Sequence, residues 1–206
     1  MATLLHLDSS PLASSISREL TREFVNTWKA SHPTGQVIGR DLAANPPKPV
    51  DQAWIHSIFT PDEALQPEQR ALLAYSEEAV AELERADEYV IGVAMHNFSI
   101  PSVLKLWIDQ VVRKGRTFDY GADGAKGLLS GKKATVLVAT GAVYEAGTPW
   151  AAFNFIDPYL RTILGFIGIT DVRFVNAGGT SQLMSGIVDR GQFLQPHLEQ
   201  VRSIAV

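Results

Sequence analysis

The sequence predicts an α/β chain built as a three-layer sandwich, with a five-stranded parallel sheet in the order 2-1-3-4-5 and helices on both faces. Three observations predict it. The apolar runs Leu4–Leu7, Tyr89–Ala94 and Ala134–Ala139 are continuous rather than alternating, as in strands covered on both sides. Segments of 3.6-residue apolar periodicity separate them. This alternation of strand and helix implies βαβ units, and right-handed crossovers leave few topologies. No composition break or internal repeat divides the chain, so residues 1–206 read as a single domain.

The first strand, Leu4–Leu7, runs into the stretch Asp8–Leu20, where SSPLASSISREL follows Asp8, and into a helix with Ile16, Leu20, Phe24 and Trp28 on one face. Five serines (Ser9, Ser10, Ser14, Ser15 and Ser17) crowd this turn. Hydroxyls and free N–H groups at a helix N-terminus form an anion site, above all for phosphate. No Lys or Arg precedes Arg18 in the loop, so dipoles and hydroxyls would hold such an anion. The same serines would equally serve as helix caps and turn formers.

A second strand spans Gln36–Arg40. Asp41–Ala64 then carries Pro46, Pro47, Pro49 and Pro61 around Trp54, Ile55, Ile58 and Phe59. Prolines at this density argue against a strand, and a loop of this length is functional or packs on something: the core or a partner chain. Pro67–Ala86 returns to helical periodicity, with Leu72, Tyr75, Ala79 and Leu83 on one stripe. The third strand, Tyr89–Ala94, ends in Met95–Pro101. There Ser99 reads as a cap and Pro101 as the first turn of a helix burying Val103, Leu104, Trp107, Ile108, Val111 and Val112. Its wet face carries Lys105, Asp109, Arg113 and Lys114. Gly115–Gly131 reads as an irregular connection, Ala134–Ala139 as the fourth strand, Ala151–Leu164 as helical and Asp171–Asn176 as the fifth strand. Gly178-Gly179 breaks the chain before a last helix that Pro196 kinks or divides.

Composition narrows the function. Hydrophobic residues make up 46% and charged residues 19%, and the net charge is −4 with no basic block, which argues against nucleic-acid or anionic-membrane partners. Apolar runs are too short to span a bilayer, and the N-terminus lacks a signal-peptide layout. Cysteine is absent, which excludes disulfides and thiol chemistry and fits a cytoplasmic protein. The five histidines show no paired ligand spacing, so no metal site is expected.

In an open parallel sheet, ligands lie beyond the carboxyl ends of the strands where strand order reverses. The loops that meet there are the serine loop, Met95–Phe98 and Thr140–Ala142. The first offers a phosphate cradle, and the other two offer backbone groups, with Gly141 allowing close approach. That set suits a molecule with a phosphate at one end and a flat polar ring at the other. Competing motifs fail. No G-x-G-x-x-G follows the first strand, and no G-x-S-x-G elbow is present. Gly127–Lys132 resembles a P-loop but is one residue short, lacks the following Ser or Thr, and precedes a strand. Read alone, Met95 and Phe98 suit core positions at a strand end, His96 a structural hydrogen-bonder, and Tyr120 a surface aromatic.

Several stretches carry a resemblance: SSPLASSIS, RDLAANP at Arg40–Pro46, MHNFSIPSVLKLWID at Met95–Asp109, GRTFDY, GLLSGKKA, and LGFIGITDVRFV at Leu164–Val175. Over nearly its whole length the chain resembles the FMN-dependent NADH-azoreductases, also described as NADH:quinone reductases, of the flavodoxin-like superfamily. The resemblance implies that Ser10, Ser15, Ile16 and Ser17 bind the FMN phosphate. It implies that Met95, His96, Asn97 and Phe98 wrap the flavin, with Asn97 at the N5/O4 edge, and that Ala139, Thr140, Gly141 and Ala142 line its other side. Two departures stand out. Ala139–Ala142 occupies a place where Ser-Arg-Gly-Gly is usual, and His96 one where Tyr is common, so substrate preference is where this chain would differ.

The resemblance further implies hydride transfer from NADH to flavin N5 and on to quinones and aromatic azo compounds, in a ping-pong cycle. It implies no covalent intermediate on a side chain, and a homodimer with sites near the subunit interface. Trp54–Phe59 and Phe118/Tyr120 are the candidate walls from the neighbour. Two alternatives are a flavodoxin-type electron carrier, which the mild net charge disfavours, and a non-catalytic flavin-binding module.

Overall fold

The computed structural model describes all 206 residues. Its sheet consists of β1 (Thr3–Asp8), β2 (Gln36–Asp41), β3 (Glu88–Ala94), β6 (Lys133–Thr140) and β7 (Asp171–Gly178), in the order β2-β1-β3-β6-β7 with every pairing parallel. Counted within the sheet alone, this is the expected 2-1-3-4-5 arrangement. The numbers four and five in chain order go to an antiparallel hairpin, β4 (Phe118–Gly121) and β5 (Gly124–Gly127), inside the stretch expected to be irregular.

Alternation along the strands divides the core in two. Leu4, Val90, Leu137 and Val175 face α1 (Ile16–Ser31) and α7 (Arg190–Ile204), which contribute Leu20, Phe24, Trp28, Leu194 and Val201. Leu5, Leu7, Ile91, Val93 and Val136 face the opposite layer, where α3 (Pro67–Arg85), α4 (Ser102–Val111) and α5 (Ile156–Phe166) bring Leu83, Leu104, Trp107, Leu160 and Leu164. Gly92 sets the depth at which α1 sits, because a Cβ there would lie 2.8 Å from both Asp8 Oδ1 and Thr21 Cγ2. No helix is long and apolar enough to cross a membrane.

Several local expectations are corrected. The proline-rich stretch holds a helix, α2 (Gln52–Ile58), started by Asp51, whose carboxylate accepts from the Trp54 N–H at 2.8 Å. On α3 the buried stripe keeps the expected Ala79 and Leu83 but runs otherwise through Leu73, Ser76 and Val80, and Leu72 is exposed. Ser99 caps nothing. It closes a turn with His96, and Pro101 stands at the N-cap of α4. Arg113 is buried rather than wet, since its guanidinium reaches Ser76 Oγ at 2.7 Å and Glu77 at 2.9 Å. Ala151–Phe153 is a 3-10 turn, and α5 starts at Ile156, with Asn154 Oδ1 accepting from the Ile156 and Asp157 N–H groups. Pro196 leaves α7 continuous, and the chain divides earlier, after the short α6 (Ser181–Met184).

Candidate active site

Three loops leave the carboxyl ends of adjacent strands β1, β3 and β6, in the register Asp8↔Gly92 and Ala94↔Ala139. They are tied to one another: Ser9 donates from both N–H and Oγ to the Gly92 carbonyl, and Met95 N–H donates to the Ala139 carbonyl at 2.9 Å. The predicted site residues from Ser10 to Ala142 are thereby collected along one rim. Ser9 is spent on this tie; of the other four serines, Ser10, Ser15 and Ser17 are buried in the turn and Ser14 is exposed.

At the serine loop, Ser15 occupies the N-cap of α1 in an extended conformation, yet its side chain makes no capping bond. Its hydroxyl pairs instead with Ser17 Oγ at 3.0 Å, and both side chains are buried. The N–H groups of Ile16, Ser17 and Arg18 have no acceptor within the chain. The first N–H groups of any helix lack intrahelical acceptors, and here the side-chain cap that commonly takes one of them is missing as well, so the turn is left open to an acceptor from outside. The plain capping role is thus not the one these serines adopt. Asp8, Arg18, Thr21 and Asp41 brace the turn from behind. Arg18 donates to the Ser10 carbonyl at 2.8 and 2.6 Å and to Asp41 at 2.7 Å, and Thr21 Oγ1 donates to Asp8 at 2.8 Å. The hydrogen bond from Arg18 holds the Asp41 carboxyl below the usual carboxylate range, and Asp41 in turn raises Arg18. From the far side, Arg190 donates to the Ser14 carbonyl and to Glu19. Both arginines are internally paired, so the cradle consists of dipoles and hydroxyls, as the sequence implied.

The second loop is a tight turn. His96 and Ser99 exchange N–H···O bonds at 2.9 and 3.0 Å, and the two residues between them have positive φ, 48° at Asn97 and 71° at Phe98. These are the dihedral signs of a type I′ turn. Asn tolerates that conformation; Phe does not without strain, and such strain clusters at functional sites. The turn leaves the Asn97 and Phe98 N–H groups unpaired and both side chains exposed. Met95 is half-buried against the core below it, and the His96 ring is exposed without a hydrogen bond.

The third loop is anchored by its carbonyls. Thr140 O accepts from the Gly179 and Thr180 N–H groups, Gly141 O from Ser181, and Ala142 O from Gly179 and from Thr140 Oγ1. With the carbonyls turned inward, the Gly141 and Ala142 N–H groups remain without acceptors, and no atom lies near the position of a Gly141 Cβ.

One feature of the rim is not foreshadowed by the sequence. Phe98, Tyr144, Trp150 and Phe153 form a closed circuit of ring contacts: Phe98–Phe153 at 5.4 Å, Phe153–Trp150 at 5.7 Å, and Trp150–Tyr144 and Tyr144–Phe98 both at 6.4 Å. The only signal available was the aromatic density of the segment following Gly141, and a helix expected from Ala151 would have scattered those rings.

A parallel sheet in this order, with three donor-lined loops at its point of strand reversal, defines a flavodoxin-like protein. A family profile described as flavodoxin-like fold matches residues 2–204. The chain is 62% identical over 205 residues to the FMN-dependent NADH:quinone oxidoreductase of Acidobacterium capsulatum, covering 100% of both. It is 43% identical to the FMN-dependent NADH:quinone oxidoreductase 3 of Burkholderia lata, covering 99% of both. Among solved structures, it matches an azoreductase from Bacillus anthracis str. Sterne with a TM-score of 0.89 and 27% identity, over 100% of this chain and 99% of that one. An FMN-dependent NADH-azoreductase from B. anthracis str. Ames Ancestor, solved in complex with FMN, matches with a TM-score of 0.88 and 25% identity, over 100% and 98%. The chain belongs to the family of FMN-dependent NADH:quinone oxidoreductases.

Proposed function

We propose that the three-loop rim holds FMN and that the protein passes reducing equivalents from NADH to quinones and aromatic azo compounds by a ping-pong cycle. The observation that carries this reading is the set of unpaired donors. Three N–H groups lie at one end beside the Ser15 and Ser17 hydroxyls, which pair with each other, and two further pairs of N–H groups lie on the neighbouring turns. This pattern fits a phosphate followed by a flat ring with polar edges. When bound, FMN supplies the two-electron chemistry.

The chain's own part is binding, orientation and electrostatics. The Ile16–Arg18 N–H groups, with the Ser10, Ser15 and Ser17 hydroxyls, would hold the phosphate. The Asn97 and Phe98 N–H groups would face one polar edge of the ring. Those of Gly141 and Ala142 are fixed donors for the edge that gains negative charge on reduction. Their anchored carbonyls keep them aimed without reorganisation. No side chain on the rim is arranged as a nucleophile, and exposed His96 leaves protons to be drawn from water. A reductant and an acceptor that share one ring face must take turns, which accounts for the ping-pong order.

In a homodimer, the second copy of the chain would pack against a groove of about 720 Å³ between Pro46–Trp54, α3 and Gln110. Trp54, Tyr75 and Gln110 line it, and their Nε1, Oη and Oε1 atoms are buried without partners. Around it Ile55, Phe59 and Leu72 are exposed, as is Tyr120 on the hairpin. Sedimentation of a monomer with full turnover would remove the dimer.

The reading as a whole is tested by titrating the flavin-free protein with FMN and with riboflavin, which lacks only the phosphate. FMN should bind at least about tenfold tighter, since one hydrogen bond to a charged group contributes about 1.5–3 kcal/mol. The double variant Ser15→Ala/Ser17→Ala should remove most of that difference while leaving riboflavin binding within about twofold. Equal affinities for the two ligands, or no uptake of FMN, overturn the reading. Flavin binding without NADH oxidation in the presence of a small quinone would instead leave an electron carrier or binding module.

A further inference from the structure

We infer that the aromatic circuit of Phe98, Tyr144, Trp150 and Phe153 is the specificity wall of the acceptor site, and that it selects fused-ring aromatic acceptors over single-ring ones. The inference rests on the proposed flavin-binding reading and refines its substrate class. Phe98 belongs to the turn that offers its N–H to the rim, so the circuit is continuous with the place where the ring would lie.

The rings touch one another but are not buried. Phe98 is 41% exposed, Trp150 47% and Phe153 42%. Exposed aromatic side chains held together in this way leave an apolar patch in water, a feature of ligand grooves and interaction sites. Their backbone is fixed. The Phe155 N–H donates to the Phe98 carbonyl at 3.2 Å, Thr148 Oγ1 donates to the Val143 and Glu145 carbonyls, and Asn154 ends the segment by starting α5. Neighbouring planes in the circuit are inclined at 36°, 52°, 56° and 71°, so the cluster presents both ring faces and ring edges. Fused aromatic rings pair well with such surfaces in offset or edge-on contact.

Phe153 and Trp150 extend the aromatic surface that begins at Phe98, so a second fused ring gains contacts there that a single ring seated at Phe98 does not reach. The chemistry identifies the ligand class as planar and fused. Aliphatic acceptors gain nothing from the wall.

The test uses the FMN-loaded protein and ligands that it does not reduce, so that binding is read apart from turnover. Calorimetric Kd values are measured for a naphthol and for a phenol with the native chain, Trp150→Leu and Phe153→Leu; leucine keeps an apolar volume but removes the π surface. The naphthol should bind native protein more tightly than the phenol does. In either variant the naphthol should weaken about three- to tenfold, the size of one aromatic pair, while the phenol changes by less than about twofold. Steady-state kcat/KM for a naphthoquinone relative to a benzoquinone should fall by a similar factor. Parallel weakening of both ligands, or no weakening of either, overturns the wall. Loss of bound FMN in the native protein, or failure of NADH to bleach it, overturns the underlying reading instead, and the FMN content of each sample tells the two failures apart.

Discussion

Arg18 donates to Asp41 at 2.7 Å with the same Nη2 that reaches the Ser10 carbonyl at 2.6 Å, so a single guanidinium joins the end of β2 to the loop after β1. The cation nearest the anion cradle is therefore committed to the protein itself. It fixes the turn whose N–H groups point outward, and the Asp41 carboxylate offsets its charge.

Replacing Arg18 with Met should therefore weaken FMN binding by about ten- to hundredfold through loosening of the turn, because hydrogen bonds to charged groups contribute about 1.5–3 kcal/mol each. The effect should be nearly independent of salt between low and physiological ionic strength. A guanidinium that contacted the phosphate directly would instead make the difference between native and variant shrink as salt is added. Titrating both flavin-free proteins with FMN at two salt concentrations decides between these roles.

The same pair sets a pH window. The hydrogen bond from Arg18 holds Asp41 below its ordinary value, so the folded state binds a proton there less readily than the unfolded chain. A depressed carboxyl contributes stability that is complete above the unfolded value of about 3.9 and is lost as pH falls through the folded value. Urea midpoints of the native protein should thus fall below about pH 4. In Arg18→Met the fall over that interval should be shallower, because part of the linkage has gone. Identical slopes for the two proteins would show that Asp41 does not titrate with folding.

Phe98 supplies a test of strain that separates backbone from side chain. At φ 71° a Cβ is unfavourable by roughly 1–2 kcal/mol, whereas glycine has no such penalty. At most positions Ala is more stable than Gly. Here the order should reverse, with Phe98→Gly more stable than Phe98→Ala by about 1 kcal/mol in denaturant unfolding. Both lose the contacts to Tyr144 and Phe153, so those cancel in the comparison. The ordinary order would mean that the turn relaxes out of the left-handed region when the aromatic contacts are removed.

How much of this was legible before the structure follows from where the information lies. The central strands were readable because burial on both faces leaves them uniformly apolar, and the three loops followed from the strand order. Leu72 and Leu73 were not separable: both are leucine, and the buried face of α3 is masked by Ser76, a polar residue at a core position. Nothing near Arg113 in sequence says that it is buried, since its partners Ser76 and Glu77 lie 37 and 36 residues away. The role of Arg18 was hidden for the same reason, as Asp41 is 23 residues distant. The aromatic circuit depends on how a short irregular segment folds back onto Phe98, and periodicity carries no information about such segments.

Gly127, in the stretch that resembles a P-loop, has a structural meaning instead. A Cβ there would lie 2.1 Å from Gly168 N and 2.3 Å from Ile167 C, distances at which backbone must move. The glycine lets β5 lie directly on the turn that ends α5, where the Leu129 N–H donates to the Ile167 carbonyl at 2.9 Å. Gly168, at φ +102°, cannot readily retreat. Overpacking of this kind typically destabilises by about 1–3 kcal/mol. Gly127→Ala should therefore either lower the unfolding midpoint by that amount or lift the hairpin from α5 with a smaller global loss. Limited proteolysis separates the two outcomes, because a lifted hairpin should be cut at the exposed Gly121–Gly124 tip much faster than in the native protein. Unchanged stability together with unchanged proteolysis would mean that β5 does not rest on the α5 turn as described.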